Sequence, residues 1–591
     1  MRANSSLAFA CVFRALRLVG AVVILLVSVT GIHAQPASQI TPPTFRPPAE
    51  TAPSGGLVVP ETPGLETPSG AERLFVTLGA VTVDGAFPEM TDEGRALAAR
   101  LAAGKPVSGA ELFAAARDLE AAYARAGFVL ARVVLPPQEL RDGATLRLIV
   151  VDGFIEKAEA DNVPARVRQR IIAQVEPLIG KRHLRLGDIE RRLLLAGDTP
   201  GVLLRSTLAP GSTTGGSVLA LQATHQPVGG LVSLDNTLAQ ALGTWTLGAG
   251  FDLNSVLGLG ELVYFRAMGH PGGGSNGFFG SSPLSRTLAG GIVLPIGIDG
   301  FTLNVEATQA RTYPISNVIA VSTADWFERL SIRARYPWLR SRRSNLAVGA
   351  ALDIENETQP ITFAGIATNL SEDRLRVLRF SAEGDHQTTS SALASGRIVA
   401  SFGVDGLGAR TAAEAAASGV PLSRQGADAA FSKIEGQINL SQPTGLELVA
   451  LNLGARGQYS FGQALLHAEQ IGIASPTGLS AFDAGALQGD SGFVLRGELT
   501  RAFTLPTLFD KVGLVASPYL YAAWGEVFLQ APTAVEASSI SAGSFGVGLR
   551  LNDGVRNSIA AGGLTLEIGF TERSDGMPTS TRAVLLMVQR F

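Results

Sequence analysis

The chain is poor in the groups that most proteins use to staple a fold or to do chemistry. Its one cysteine is Cys11, inside an N-terminal apolar leader, so the remainder can form no disulfide and carries no free thiol. After that leader no uncharged apolar run reaches the ~18 residues of a spanning helix, which excludes a membrane protein built from helices. Charged residues make up 17% of the chain and the formal net charge is −3, which becomes −6 without the leader, so no basic stripe invites nucleic acid. Five histidines lie beyond the leader (183, 225, 270, 386 and 467), in no metal-ligating or catalytic spacing. The glycine-rich segments lack the Lys-Ser or Lys-Thr ending of a phosphate loop. Gly489-Asp490-Ser491-Gly492 mimics a serine-protease nucleophile, yet no histidine base or orienting acid accompanies it. No enzyme, metal or cofactor is expected.

What the chain does have is alternation. From about Pro227 to Phe591, stretches of roughly ten residues place apolar side chains at every second position. A strand tilted across a bilayer needs about 9–11 residues, with partners on both sides so that no backbone group is left bare in lipid. In the last such stretch Ala583, Leu585, Met587 and Phe591 share one face, and Arg582 and Arg590 the other. The segment 227–591 therefore reads as a transmembrane β-barrel of about sixteen antiparallel strands. A strand-by-strand reading reaches seventeen, and the excess falls in Ser390–Gly445.

Ahead of the barrel, Arg14 and Arg17 precede the apolar stretch Leu18–Val29, and Ile32-His33-Ala34 offers a cleavage point, so 1–34 reads as a secretory signal. Nine prolines between Pro36 and Pro68 make 35–72 an extended linker in which no helix is expected. Residues 73–153 form an α+β module: a strand closing at Val81–Gly85, a helix carrying Leu97 and Leu101, and a second helix opened by the Ser108/Glu111 capping box. That helix carries the stripe Leu112, Ala116, Leu119 and Tyr123 and ends at Gly127, and two more strands follow. A second module of the same order covers 154–226, with Val167, Ile171 and Val175 as its buried helical stripe.

The run Ala126–Gln138 followed by Leu146–Gly153 resembles the POTRA domain of hemolysin activators, found in TpsB transporters of two-partner secretion. Val232–Asn236 is similar to that family's first barrel strand, and Tyr336–Arg342 resembles a mid-barrel strand end. The resemblance covers about Arg73 to Phe591. It implies two periplasmic POTRA domains, a sixteen-stranded outer-membrane barrel, and a long loop folded into the lumen. It also implies a monomer embedded in outer-membrane lipid that exports a β-helical, TpsA-like exoprotein, taken up unfolded and without ATP. An outer-membrane protein insertase of the BamA kind is the alternative, and a passive porin a weaker one.

The resemblance places the inward loop at 470–491, its tip at Leu479, Ser480, Ala481 and Phe482. The family's tip arginine and glycine are replaced by Ser480 and Ala481, and the wall aspartate expected to meet that arginine is replaced by Ala523. Losing both members of a buried ion pair is close to neutral, whereas stranding one costs about 3–5 kcal/mol. Packing of Phe482 on Trp524 is the expected substitute. On the first module, a groove lined by Leu112, Tyr123, Val129, Val133 and Leu135 is the expected client-binding site, by strand addition to an exposed edge.

Overall fold

A computed structural model describes residues 36–47, 66–316, 321–509, 512–555 and 561–591. The signal segment 1–34 lies outside the described residues. Among these, no helix is long and apolar enough to cross a membrane. The crossing is made by sixteen antiparallel strands, from Val228–Asp235 to Ser580–Arg590, hydrogen-bonded in sequence order and closed by pairing of the last strand with the first. Two short segments, Val321–Thr323 and Phe503–Phe509, lengthen neighbouring strands rather than adding to the ring.

The seventeenth strand of the sequence reading does not exist. Leu393–Gly403 and Ser432–Pro443 pair directly, and the residues between them form an outer loop with the helix Ala412–Ser418. Thr411 and Glu414 cap that helix reciprocally and Gly419 ends it in the left-handed region, signals of the same kind that marked the earlier helices.

Alternation along the strands sorts side chains as lipid and lumen require. In Phe301–Thr312, Asn304, Glu306, Thr308, Ala310 and Thr312 are buried inward, while Leu303, Val305 and Ala307 face out. The seam between first and last strands registers Leu586 with Asp235 through Arg590 with Leu231. Asn236 extends it by bonding Ala583 and Leu585, and Gly230 by exchanging backbone bonds with Phe591.

Below the barrel sit the two α+β units. In the first, Ala80–Asp84 runs parallel to Thr145–Val151, which pairs antiparallel with Arg132–Val134; helices Thr91–Leu101 and Gly109–Arg125 cover the sheet. Ser108 and Glu111 form the capping box, and the Ser108 backbone N–H and hydroxyl hold the Glu111 carboxyl below its ordinary range. Tyr123 is 1% exposed, its hydroxyl accepting from the Phe87 N–H at 3.1 Å, and burial pushes its phenol up. The second unit repeats the order, with Phe154–Asn162 parallel to Gly216–His225 and Val202–Pro210 antiparallel to it. Its helix Leu186–Gly197 docks on the inner turns of the barrel. Arg191 donates to the Pro337 and Trp338 carbonyls, Arg192 pairs with Asp299, and Arg340 grips Asp198 at 2.6 and 2.9 Å.

The proline-rich segment departs from expectation. Ala37–Ile40 is a helical turn, and residues 36–47 lie inside the barrel rather than in a free linker. Residues 48–65 of the segment lie outside the described residues; among the described ones, 36–47 build no core of their own. Instead they borrow partners from the wall.

Candidate functional site: an occluded lumen

Two segments fill the barrel, and each is held by the charge that lines it. The first is the strap 36–47. Ala37 is fully buried against Ala310 and Phe327. Proline has no N–H, so a proline-rich strand cannot close its own hydrogen bonds, and its carbonyls are left to others. Arg329 donates to the Pro42 carbonyl and Arg333 to that of Pro43, both at 2.8 Å. The Phe45 N–H and the Thr44 hydroxyl donate to Glu306 at 2.8 and 3.0 Å, and the Ser38 N–H to Glu357 at 3.0 Å. Gln39 donates to the His467 carbonyl, linking the strap to the second plug.

That second plug is the chain between strands Val449–Tyr459 and Ser491–Arg501. It enters as a small hairpin in which Ile471 and Gly472 pair with Gly489 and Gln488. Glu469 at its entrance receives Arg379 at 2.6 Å and Lys433 at 2.7 Å, and Arg379 is shared with Asp353 and Glu355 of the wall. Asp490 at its exit is fully buried and accepts from the Leu465 N–H, Gln470 and the Gln530 N–H. The protease-like Ser491 accepts from the Ser460 N–H, with no histidine among its hydrogen-bond partners.

At the tip, Leu479 and Phe482 are buried with Ile471, Ile473, Val494 and Ala523. Ser480 donates to Glu567 of the strand Ala561–Arg573 and accepts from Arg496 at 2.7 Å. Arg496 also reaches Glu567 and Glu498 at 2.7 Å each and the Gly478 carbonyl at 3.1 Å; Tyr519 donates to Glu567 at 2.8 Å. Ala481 lies over Gly569, where an added Cβ would stand 2.8 Å from the Ala481 methyl and closer still to the Tyr521 hydroxyl. Only a bare backbone admits the tip there.

Two expectations about this contact fail. Trp524 does not face the tip: in Val512–Phe528 the inward set is Tyr519, Tyr521, Ala523 and Val527, and Trp524, one residue out of phase, is 48% exposed against Phe493 on the outer wall. Nor is the site without charge. Arg496 and Glu567, both in wall strands, carry an ion pair to which the tip adds a hydroxyl. Strand alternation alone could have pointed to Glu567, the acid in phase with Thr565, Gly569 and Thr571 on the inward face of its strand.

On the first α+β unit, Leu112, Tyr123 and Val133 are 3%, 1% and 3% exposed and belong to its core, with Leu135 packed against them. Val129 packs instead against the core of the second unit. These five residues therefore line no open groove. The strand itself is short, Arg132–Val134, because Phe128–Ala131 closes a turn first. It does lie at the sheet edge, and its outward Val133 N–H donates to Glu120 at 2.9 Å.

A sixteen-stranded barrel with a polar interior, an N-terminal strap and an inward loop as plugs, and two α+β units docked at one mouth defines a class of outer-membrane barrel protein. Residues 215–551 match the family described as haemolysin secretion/activation protein ShlB/FhaC/HecB, and 77–153 match its ShlB-type POTRA domain. The chain belongs to this family, the TpsB outer-membrane proteins of two-partner secretion, whose POTRA domains are periplasmic. Among curated relatives it is 28% identical over 239 residues to the outer membrane transporter CdiB of Escherichia coli, covering 40% of this chain and 39% of that protein. It is 26% identical over 160 residues to the heme/hemopexin transporter protein HuxB of Haemophilus influenzae, covering 27% and 28%. The matched stretches thus span less than two fifths of the first curated relatives. The solved structure of CdiB from Escherichia coli shares the fold at TM-score 0.66, 20% identity and coverage of 90% and 92%; that of CdiB from Acinetobacter baumannii does so at 0.56 and 15%.

Proposed function

We propose that the protein exports a secreted exoprotein across the outer membrane through its own lumen. The client is received unfolded by two periplasmic POTRA domains, 73–153 and 154–226, and passes outward without ATP as it folds into a β-helix at the surface. The observation that carries this reading is that the lumen is filled by two chain segments, the strap 36–47 and the inward loop, rather than by side chains of the wall alone. The strap is held by hydrogen bonds to charged wall side chains, and the loop by ion pairs at Glu469, hydrogen bonds and a small apolar contact at its tip, interactions that an incoming chain could replace. Closure of the described strands into a ring suits a route through the lumen, and the seam, extended at both ends by Asn236 and Phe591, gives less room for the lateral route of an insertase. Plugs held on both sides leave little purpose for a passive porin.

Co-expression with the product of a neighbouring exoprotein gene tests it. Appearance of that product outside the cell only with this protein, and its retention when the first α+β unit is deleted, is the expected result. Secretion without the protein, or an altered complement of other outer-membrane barrels instead, would rule the reading out.

A further inference from the structure

On the lipid-facing wall two arginines stand directly opposite each other with no carboxylate to neutralise them. Arg286 begins the strand Ser285–Ile296 and Arg311 closes Phe301–Thr312, and the two are cross-strand partners. Their neighbours Ser285, Thr287, Ala310 and Thr312 are buried inward, so both guanidinium groups face out. Like charges directly opposite on adjacent strands destabilise a sheet unless an anion lies between them. Among the described residues neither forms an ion pair. Arg286 donates to the Phe278 carbonyl at 3.3 Å, and Arg311 lies over the Trp326 ring at 5.8 Å. The outward acid Glu328, two residues along the neighbouring strand from the Trp326 that faces Arg311, accepts from Gln309 at 3.0 Å instead.

Both arginines sit at the strand ends away from the POTRA units, at the outer-leaflet level. Directly below them, toward the bilayer centre, the wall is hollowed. Phe251, Phe265, Leu288 and Leu330 rise around a floor of Ala267 and Ala307 in an open, mostly apolar hollow of about 1050 Å³, with Gln309, Glu328 and Asn356 also in its lining. Trp326, whose Nε1–H donates to the Tyr313 hydroxyl, and the 95% exposed Phe279 stand beside the arginines, as aromatics do at a membrane interface. An anion-seeking pair above an apolar trough has the shape of a lipid: phosphate at the rim, acyl chain in the groove.

We infer that this face binds a phosphorylated glycolipid of the outer leaflet, its phosphate on Arg286 and Arg311 and its acyl chains in the trough. The commitment is to the glycolipid rather than an ordinary phospholipid, because the pair lies in the leaflet where phosphorylated glycolipid is exposed and presents two cations to one headgroup. The site does not depend on what the pore carries.

The test uses the full chain in phosphatidylethanolamine nanodiscs, with lipid A as probe and native mass spectrometry counting retained lipid. Wild-type protein should retain bisphosphorylated lipid A and lose most of that retention when the lipid is dephosphorylated, a comparison that needs no variant. Arg286→Gln with Arg311→Gln should weaken retention roughly thirtyfold, about fivefold for each charge at a membrane surface. Ala307→Trp, which fills the trough and keeps the charges, should weaken it too. Heat-modifiable gel mobility checks that each variant remains a barrel. Equal retention of the dephosphorylated lipid, equal retention by the double variant, or phosphatidylglycerol binding as tightly as lipid A would each overturn the assignment.

Discussion

Arg496 and Glu567, 2.7 Å apart across the lumen wall, hold the tip of the inward loop between them through Ser480. The arrangement inverts what the family resemblance implies, in which the tip carries the cation. Here cation and anion are both fixed in strands, and the loop contributes only neutral groups, the Ser480 hydroxyl and the Gly478 carbonyl. A neutral tip costs less to withdraw than a charged one, because the wall pair stays satisfied when the loop leaves.

The latch can be tested by moving charge back to the tip. Ser480→Arg would set a second guanidinium against Arg496 and should expel the tip, seen as higher single-channel conductance. Ala523 is the cross-strand partner of Arg496, so Ala523→Asp in the same chain supplies a second acid and should restore wild-type conductance. A coupling between the two substitutions of about 1–3 kcal/mol is expected from a double-mutant cycle on thermal stability. Additive effects would mean that the two positions do not meet through the tip.

Glu306 anchors the strap, and its removal should unseat it. The side chain is 1% exposed and accepts from Thr44, Phe45 and Tyr264 while facing Arg329 and Arg333. Glu306→Ala leaves two arginines without this acid, at about 3–5 kcal/mol. Cysteine-accessibility labelling at Gln39 should rise several-fold in this variant; labelling at the wild-type level would show that the strap is held elsewhere.

How much of this the sequence disclosed follows from what each feature depends on. Period-two alternation is a local property, so the pattern reads strands at Phe301–Ala310 and Phe493–Phe503 where the structure has Phe301–Thr312 and Ser491–Arg501, and the helix stripe of Leu112, Ala116, Leu119 and Tyr123 is legible in the same way. Register across the lumen is not local. Whether Ala523 or Trp524 faces inward turns on a one-residue phase, and an aromatic reads as the better contact until lipid is counted as its solvent. The helical turn Ala37–Ile40 was illegible because its partners, Glu357 and the His467 carbonyl, lie hundreds of residues away. Glu120 was overlooked because a charge on an exposed helix face ordinarily meets only water.

The docking of the second α+β unit rests on Arg340. Its bidentate contact with Asp198 is the most direct charged bridge between helix Leu186–Gly197 and the barrel, supported by Arg191 and Arg192. Arg340→Ala should weaken the docking by about 1.5–3 kcal/mol, the worth of a charged hydrogen-bonded contact. A spin label pair across the interface should report a broader distance distribution in the variant, with the barrel's melting unchanged. An unaltered distribution would assign the unit's position to the Arg191 and Arg192 contacts instead.

The edge of the first POTRA unit is guarded by one carboxylate. Strand addition needs an outward N–H on Arg132–Val134, and the Val133 N–H that points there is taken by Glu120, itself 3.8 Å from Arg132. If an extended client segment adds at this edge, it must first displace Glu120, so the carboxylate sets a threshold for capture. Glu120→Ala should speed hydrogen exchange at the Val133 amide about tenfold, the equivalent of one modest hydrogen bond. It should also strengthen binding of peptides from the client's N-terminal region, because the competitor for that amide is gone. Glu120→Gln, which keeps an acceptor oxygen without the charge, should fall between the two. Faster exchange with unchanged peptide binding would place client recognition on another surface and leave Glu120 as a guard against unwanted edge pairing.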